Sequence, residues 1–386
     1  MTIPAASASP APSINPAPAA SPAASAAASA PTSANASANA SAAVSALAPA
    51  AARTRRPAWT RLAWLAAVVA VLAIAAAASV AIGSRDVSWD EIVAALGGST
   101  DGLGTAAVAK RVLRTILAIL VGLALGLAGA VMQGVTRNPL ADPGILGVNM
   151  GASLAVVAGI AWFGLWTYTA FIWVAIAGAG ITAVFVYAIG SLGRGGATPL
   201  KLALAGAVTS AAAASFISAV VLPRADIADD VRSWQIGGVG GANLDAIAQV
   251  TPFLVAGVAI CLVSAQSLNA LALGDEAAAS LGERVFAARA FASLGAVLLC
   301  GAATAVAGPI AFVGLIVPHA CRLLIGVDHR WLIPFSALGG AILVTASDTV
   351  GRVIARPDEV DVGIVTAILG APVLIAIVRR VRVREL

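Results

Sequence analysis

Few side chains in this sequence could carry acid–base, metal or proton chemistry. The two histidines, His319 and His329, lie ten residues apart across a loop, a spacing more typical of hydrogen-bonding loop residues than of metal ligands. Asp348 is the only acid that falls within an apolar segment. Because no cluster of His, Asp and Glu has metal-ligand or acid–base spacing, the sequence indicates neither an enzyme nor a metal site.

The cysteines and lysines add no metal site and no nucleotide site. Cys261, Cys300 and Cys321 stand singly in apolar stretches, so we interpret them as packing residues. A phosphate-binding loop of the G-x-x-x-x-G-K-[ST] type needs a lysine near its end, and neither Lys110 nor Lys201 completes such a loop. We therefore expect no cofactor in this chain, and we expect that it cannot hydrolyse ATP by itself.

The stretch QGVTRNPLADPGILGVNMGA, residues 133–152, interrupts an otherwise apolar sequence with polar residues and prolines. Each proline disfavours a continuous helix, since the residue before it is pushed out of the α region. Asn138 can cap a short turn that begins at Pro139. We predict a tight turn on the inner side of a membrane, formed by Arg137, Asn138, Pro139, Asp142 and Pro143. A turn with no further role explains these residues equally well.

The composition requires a membrane environment for most of the chain. Of 386 residues, 60% are hydrophobic and 11% are charged, and the mean hydropathy is +0.96. A bilayer core is about 30 Å thick, so about 20 apolar helical residues cross it once. We predict an all-α polytopic membrane protein with about ten transmembrane helices. They lie near residues 62–82, 115–135, 144–163, 168–192, 200–222, 247–267, 287–307, 309–325, 331–352 and 362–379.

The first 56 residues differ from the rest of the chain in composition. Nearly all of them are Ala, Ser, Pro or Asn, and they bury too little apolar surface to offset the entropy of ordering. We predict a disordered cytoplasmic tail over residues 1–56 and a ten-helix transmembrane domain over residues 57–386. A cleaved signal peptide would place basic residues first, whereas here they follow the tail.

Arginines at both ends of the membrane domain indicate its orientation. Those before the first span are Arg53, Arg55, Arg56 and Arg61, and those after the last are Arg379, Arg380, Arg382 and Arg384. By the positive-inside bias, both termini are predicted to be cytoplasmic, which requires an even number of spans. Arg111, Arg114 and Arg352 then fall on the outer side against this bias, and contacts with lipid phosphates are one explanation.

The segment LALGDEAAASLG, residues 271–282, has the pattern of a small helix between two spans. Asp275 and Glu276 suit its first turn, and Gly282 suits its C-terminal cap. About seven residues are too few for a stable isolated helix. We therefore expect the segment to dock, either on another subunit or on the membrane domain itself.

Four blocks in this order resemble the FecCD-type permease family, which imports iron-siderophores, haem and vitamin B12 through ATP-binding-cassette (ABC) transporters. The first is RVLRTILAILVGLALGLAGAVMQGVTRNPLADPGILGVNMGA, residues 111–152, and the second is the segment at 271–282. The others are GPIAFVGLIVPHACRLLIGVDHRWLIP, residues 308–334, and DVGIVTAILGAPVLIAIV, residues 361–378. The resemblance covers roughly residues 60–386. It implies that the ten-helix membrane domain is a permease domain.

The resemblance implies a permease subunit that takes up ferric siderophore complexes across the cytoplasmic membrane, with haem or vitamin B12 as alternative cargo. It implies a homodimer or a heterodimer with a paralogous permease, two ATPase subunits that bind the ATP, and a periplasmic or lipid-anchored chelate-binding protein. Membrane lipid surrounds such a protein, and nucleic acid is not expected. An ion-coupled secondary transporter is the alternative from another class, but it generally carries acidic or histidine relays within its spans.

The same resemblance assigns roles to three groups of residues. ATPase coupling is expected at Gly274, Asp275, Glu276, Ala277, Ala278, Leu281 and Gly282. Ala278 and Ala279 are small and would permit close approach of the ATPase. The binding protein is expected to dock on Arg111, Arg114 and Arg352 through its carboxylates, which the guanidinium fork suits. The translocation path is expected to include Ser210, Ser215 and Ser218, although helix packing explains serine there equally well.

Overall fold

The computed structural model describes residues 58–165, 167–193 and 199–382. The tail that is predicted to be disordered, residues 1–56, lies outside the described residues. Within them the chain forms α-helices, one 3₁₀ turn and no strand. The helices are α1 Ala58–Ala81, α2 Trp89–Leu96, α3 Leu103–Thr136, α4 Val148–Phe163, α5 Tyr168–Gly190, α6 Pro199–Val221, α7 Ala225–Ile236, α8 Leu244–Val263, α9 Ala265–Leu271, α10 Asp275–Ser280, α11 Val285–Ala307, α12 Val313–Ile325, α13 His329–Ile354 and α14 Val362–Arg382. The 3₁₀ turn, Pro143–Leu146, lies between α3 and α4.

Ten of the described helices match the ten predicted spans one for one. Seven of them, α1, α3, α5, α6, α8, α11 and α13, are long and apolar enough to cross a membrane. The other three, α4, α12 and α14, are shorter apolar helices. The prediction of an all-α polytopic membrane protein is confirmed.

The main difference from the predicted spans is the start of α3. This helix begins at Leu103 and has 34 residues, whereas the sequence placed its start at residue 115. Lysine and arginine are good helix formers, so Lys110, Arg111 and Arg114 extend the helix rather than end it. At about 1.5 Å per residue, a helix of this length exceeds the bilayer core of about 30 Å.

Helix α3 lies at the centre of the fold, packed against α13, α11 and α12. Glycines allow these helices to approach closely. A Cβ atom on Gly122 would overlap the backbone of Gly340, and one on Gly129 would overlap the backbone of Gly314. Such small residues at helix crossings are typical of packing inside membranes.

The periphery of the described bundle is apolar as well as its centre. Large apolar side chains such as Ile74, Ile181 and Leu204 are exposed on α1, α5 and α6. Many exposed apolar side chains of this kind are typical of contact with lipid or with another membrane subunit.

Candidate functional site

Polar side chains gather at the two ends of α3. We call the end at Leu103 the α2 end, because α2 packs there, and the end at Thr136 the α10 end, because α10 lies there. Each end carries a group of residues that the sequence singled out.

At the α10 end, the five predicted turn residues lie together in one turn. Arg137 follows α3 in the left-handed conformation, with φ 51°. The side chain of Asn138 accepts a hydrogen bond from the backbone N–H of Leu140 at 2.9 Å. The carboxylate of Asp142 accepts one from the N–H of Gly144 at 2.8 Å and so caps the 3₁₀ turn, which starts at a proline. The backbone of this turn is therefore fixed by its own side chains.

An open cavity of about 350 Å³ lies beside this turn, between α6 and the start of α12. Its lining residues are Asp142, Gly144, Ala203, Ala207, Ser210, Ala311, Phe312 and Leu315. Of the three serines expected on the translocation path, Ser210 thus reaches the cavity. Ser215 and Ser218 are exposed elsewhere on α6, and their hydroxyls donate to backbone carbonyls one turn back, each at 2.9 Å.

Helix α10 packs against the end of the bundle through one face. Gly274 precedes it with φ 112°, and Gly282 follows it with φ 88°. The carboxylate oxygen Oδ1 of Asp275 accepts from the guanidinium of Arg137, and also from Nη2 of Arg289 on α11 at 2.8 Å. The start of α10 is therefore joined both to the turn after α3 and to α11.

The outward face of α10 differs from the expected one. Ala278 is 0% exposed because it packs into the membrane domain, so it does not lie on the outward face of α10 in this structure, and its coupling role stays a prediction. Glu276 and Ala279 are exposed, and Leu281, just beyond the helix, is 66% exposed. These three residues form the face that a partner can reach, while Ala277 is half-buried.

At the α2 end, a buried carboxylate joins α3 to α13. Asp348 on α13 accepts from Nε of Arg114 on α3 at 2.8 Å. The same carboxylate pairs with Nη2 of Arg352 at 3.1 Å. Arg114 also donates to Oε2 of Glu359, in the loop after α13, at 2.5 Å. Two arginines and two carboxylates thus form one ion network.

The arginines of this end also cap α1. Arg352 donates to the carbonyl of Ser79 at 2.9 Å and to its hydroxyl at 2.7 Å. Arg111 donates to the carbonyl of Ala81 at 3.1 Å and to that of Arg85. Basic side chains commonly bond the last carbonyls of a helix in this way.

The three arginines expected on the outer side of the membrane are therefore buried inside the protein. Arg111, Arg114 and Arg352 are 6%, 7% and 1% exposed. They are buried because internal carboxylates and carbonyls take up their hydrogen bonds. Their docking role stays a prediction.

The loop between α13 and α14 is fixed to the loop after α1. Glu359 accepts from the hydroxyl of Ser84 at 2.9 Å, and Arg356 pairs with Asp86 at 3.3 Å. Partial burial raises the pKa of Glu359, but the hydrogen bonds from Arg114 and Ser84 outweigh it and hold the pKa below its ordinary value.

The model of the FecCD transport family matches residues 26–380, which is most of the chain. The chain belongs to this family. The family predicted from the four sequence blocks is thus confirmed. Its members are transport permeases, so the expectation that the chain is not an enzyme is confirmed as well.

Relatives of this FecCD permease match it over nearly their whole length. The ferric enterobactin transport system permease protein FepD of Escherichia coli (strain K12) is 42% identical over 83% of this chain and 96% of its own. The probable siderophore transport system permease protein YfiZ of Bacillus subtilis (strain 168) is 40% identical over 82% of this chain and 95% of its own.

A solved metal-chelate type ABC transporter in an inward-facing conformation has the same fold. It is 26% identical, with a TM-score of 0.71, and the match covers 83% of this chain and 99% of the other. This FecCD chain is therefore a multi-pass permease subunit of a metal-chelate ABC importer.

Sequence reasoning missed a buried amide that fixes the α10 end of this FecCD permease. Gln133 on α3 donates to the carbonyl of Gly314 at 3.1 Å and accepts from Nη1 of Arg322 at 2.5 Å. It joins α3 to both ends of α12. The signal was a glutamine inside an apolar run, since intramembrane polar residues are rare unless they are paired.

Proposed function

We propose that this chain is the permease subunit of an importer of ferric siderophore complexes in the cytoplasmic (inner) membrane. The observation that carries the proposal is the identity of 40% and 42% to permeases named for siderophore and enterobactin transport, over more than four fifths of the chain. Haem is a second candidate, because the hemin permease HmuU of Yersinia pestis is 36% identical over 70% of the chain.

The proposed orientation places the α10 end in the cytoplasm and the α2 end outside. A FecCD permease without a phosphate-binding loop needs ATPase subunits, and the exposed face formed by Glu276, Ala279 and Leu281 is a suitable docking surface. Since α10 has six residues, it is too short to be stable without contacts on either side. Two permease subunits, identical or paralogous, enclose the path between them, and the cavity at Ser210 opens onto it.

The chelate-binding protein docks on the α2 end in this arrangement. In the described part of a single chain, Arg111, Arg114 and Arg352 are engaged by internal acceptors. A carboxylate of the binding protein therefore reaches Arg114 by displacing Glu359, whose side chain is the most exposed member of the network.

The cargo is tested by uptake in proteoliposomes that contain the complete transporter with its binding protein. A ferric siderophore, ferric citrate and hemin are each supplied, and both entry of radiolabelled iron and ATP hydrolysis are measured. We expect the ferric siderophore to give the largest stimulation of both. A response to hemin alone would replace the proposed cargo with haem.

The orientation is tested by reporter fusions. A reporter that is active only in the cytoplasm should be active after Leu386 and when it is inserted near Gly193. Activity only for an outside reporter at both sites would reverse the proposed orientation.

A further inference from the structure

One carboxylate at the α10 end connects three separate elements. Oδ1 of Asp275 accepts from Arg137, which ends α3, and from Arg289, which lies in the first turns of α11. Asp275 itself is the first residue of α10. The ion pairs therefore join the ATPase-docking helix of the proposed function to both neighbouring membrane helices.

Arg137 is also the first residue of the turn that lines the cavity. Behind it, the N–H of Ala141 donates to the carbonyl of Asn138 at 3.1 Å, and Asp142 caps Gly144. Asp142 and Gly144 line the cavity that Ser210 also lines. Because these hydrogen bonds hold the turn together, a displacement of Arg137 also displaces the residues that line the cavity.

The pair of Asp275 with Arg137 contributes little to stability, because it is open to solvent. The side chains of Arg137 and Asp275 are 38% and 45% exposed. Ion pairs this exposed are screened by water and contribute about 0–1 kcal/mol. A role in transmitting movement can therefore be separated from a role in folding.

We propose that Asp275 is a positioning residue for transport, which through Arg137 makes the docking helix α10 and the cavity-lining turn move together. The inference rests on the proposed function, since it requires an ATPase subunit on α10. Arg289 holds α10 on α11, and Arg137 transmits the movement of α10 to the turn.

The test compares Arg137→Gln with Arg289→Gln in the complete transporter. Arg137→Gln breaks the link to the turn and leaves Asp275 paired with Arg289. We expect the ATPase subunits to copurify as with the wild type, while the ratio of chelate-stimulated to basal ATP hydrolysis falls at least about fivefold, which is the lower end of typical coupling between linked sites. Arg289→Gln keeps the link and should retain most of this ratio.

Two further variants serve as controls. Arg137→Lys keeps the charge and should recover part of the ratio. Arg330→Gln removes an exposed arginine at the start of α13, and it should behave as the wild type. Thermal unfolding of each variant separates a loss of coupling from a loss of folding.

Four outcomes overturn the inference. An unchanged ratio in Arg137→Gln would show that the turn moves without this link. Equal losses in Arg137→Gln and Arg289→Gln, or loss of the ATPase subunits in proportion, would reduce Asp275 to a docking contact. A wild-type transporter that shows no stimulation by any chelate would overturn the proposed function itself, and the link with it.

Discussion

The two ends of α3 carry the same arrangement, one carboxylate between two arginines, in opposite surroundings. At the α2 end, Asp348 is 0% exposed between Arg114 and Arg352. At the α10 end, the side chain of Asp275 is 45% exposed between Arg137 and Arg289. The buried arrangement joins two long helices, whereas the exposed one joins a six-residue helix to a turn.

Burial changes what each arrangement can do. Removing one partner of a buried ion pair leaves an uncompensated charge and costs about 3–5 kcal/mol. An exposed pair contributes about 0–1 kcal/mol and can be broken and remade during movement. We infer that the ion network at the α2 end holds α1, α3 and α13 together, whereas the ion pairs at the α10 end can break and re-form as α10 moves.

The largest predicted effect follows substitution of the buried carboxylate. Asp348→Asn keeps the shape of the side chain but leaves Arg114 and Arg352 without their shared anion, so we expect a loss of stability of about 3–5 kcal/mol. Thermal or denaturant unfolding of the purified protein in detergent measures it. Asp358→Asn removes an exposed carboxylate from the following loop and should change stability by about 0.5 kcal/mol or less. Similar stabilities for the two variants would remove the distinction between the ends.

A middle-sized effect distinguishes the two faces of α10. Ala278→Trp forces a large side chain into a packed site, so we expect it to destabilise the protein by about 1–3 kcal/mol. Ala279→Trp points outward and should leave the unfolding transition nearly unchanged while it reduces copurification of the ATPase subunits. Wild-type assembly in Ala279→Trp would place the docking surface elsewhere.

The helices that cross the membrane could be predicted from the sequence, and so could α10, but three other short helices between the spans were missed. Hydropathy over about 20 residues identifies a span regardless of its neighbours. Helices α2, α7 and α9 have at most 12 residues, too few for that signal. One local sign was present for α2, since Ser88 and Glu91 form a capping box with a backbone bond of 2.8 Å.

The burial of the arginines could not be read from the sequence. The positive-inside bias predicts on which side of the membrane a loop lies, but it does not predict whether a side chain in that loop is exposed to solvent. The partners of Arg114 lie 234 and 245 residues further along the chain. By contrast, the turn at Asn138 and Asp142 depends on bonds between residues two apart, and these local bonds follow from residue type.

The exposure of Glu359 is intermediate between that of Asp348 and that of Asp275. Glu359 belongs to the buried network, yet its side chain is 36% exposed. Its pKa is held below the ordinary value of 4.5, since the bonds from Arg114 and Ser84 outweigh the opposing effect of partial burial. A carboxyl group whose pKa is lower in the folded state stabilises the protein above the unfolded pKa. That contribution is lost as the pH falls through the folded pKa.

The smallest predicted effect is that of Glu359→Gln. Glutamine keeps an acceptor for Arg114 but carries no charge, so at neutral pH we expect a loss of about 1 kcal/mol or less, well below that of Asp348→Asn. Unfolding midpoints measured from pH 7 downwards should converge for the two proteins as the pH falls through the folded-state pKa of Glu359, which lies below its ordinary value, because the wild-type carboxylate is then protonated and its advantage disappears. The other carboxyl groups titrate in both proteins, so the difference between the curves isolates Glu359. Parallel curves across this range would mean that Glu359 contributes no charge-dependent stability. A loss as large as that of Asp348→Asn would mean that exposure does not weaken this pair, and the comparison between the two ends would then have to rest on geometry alone.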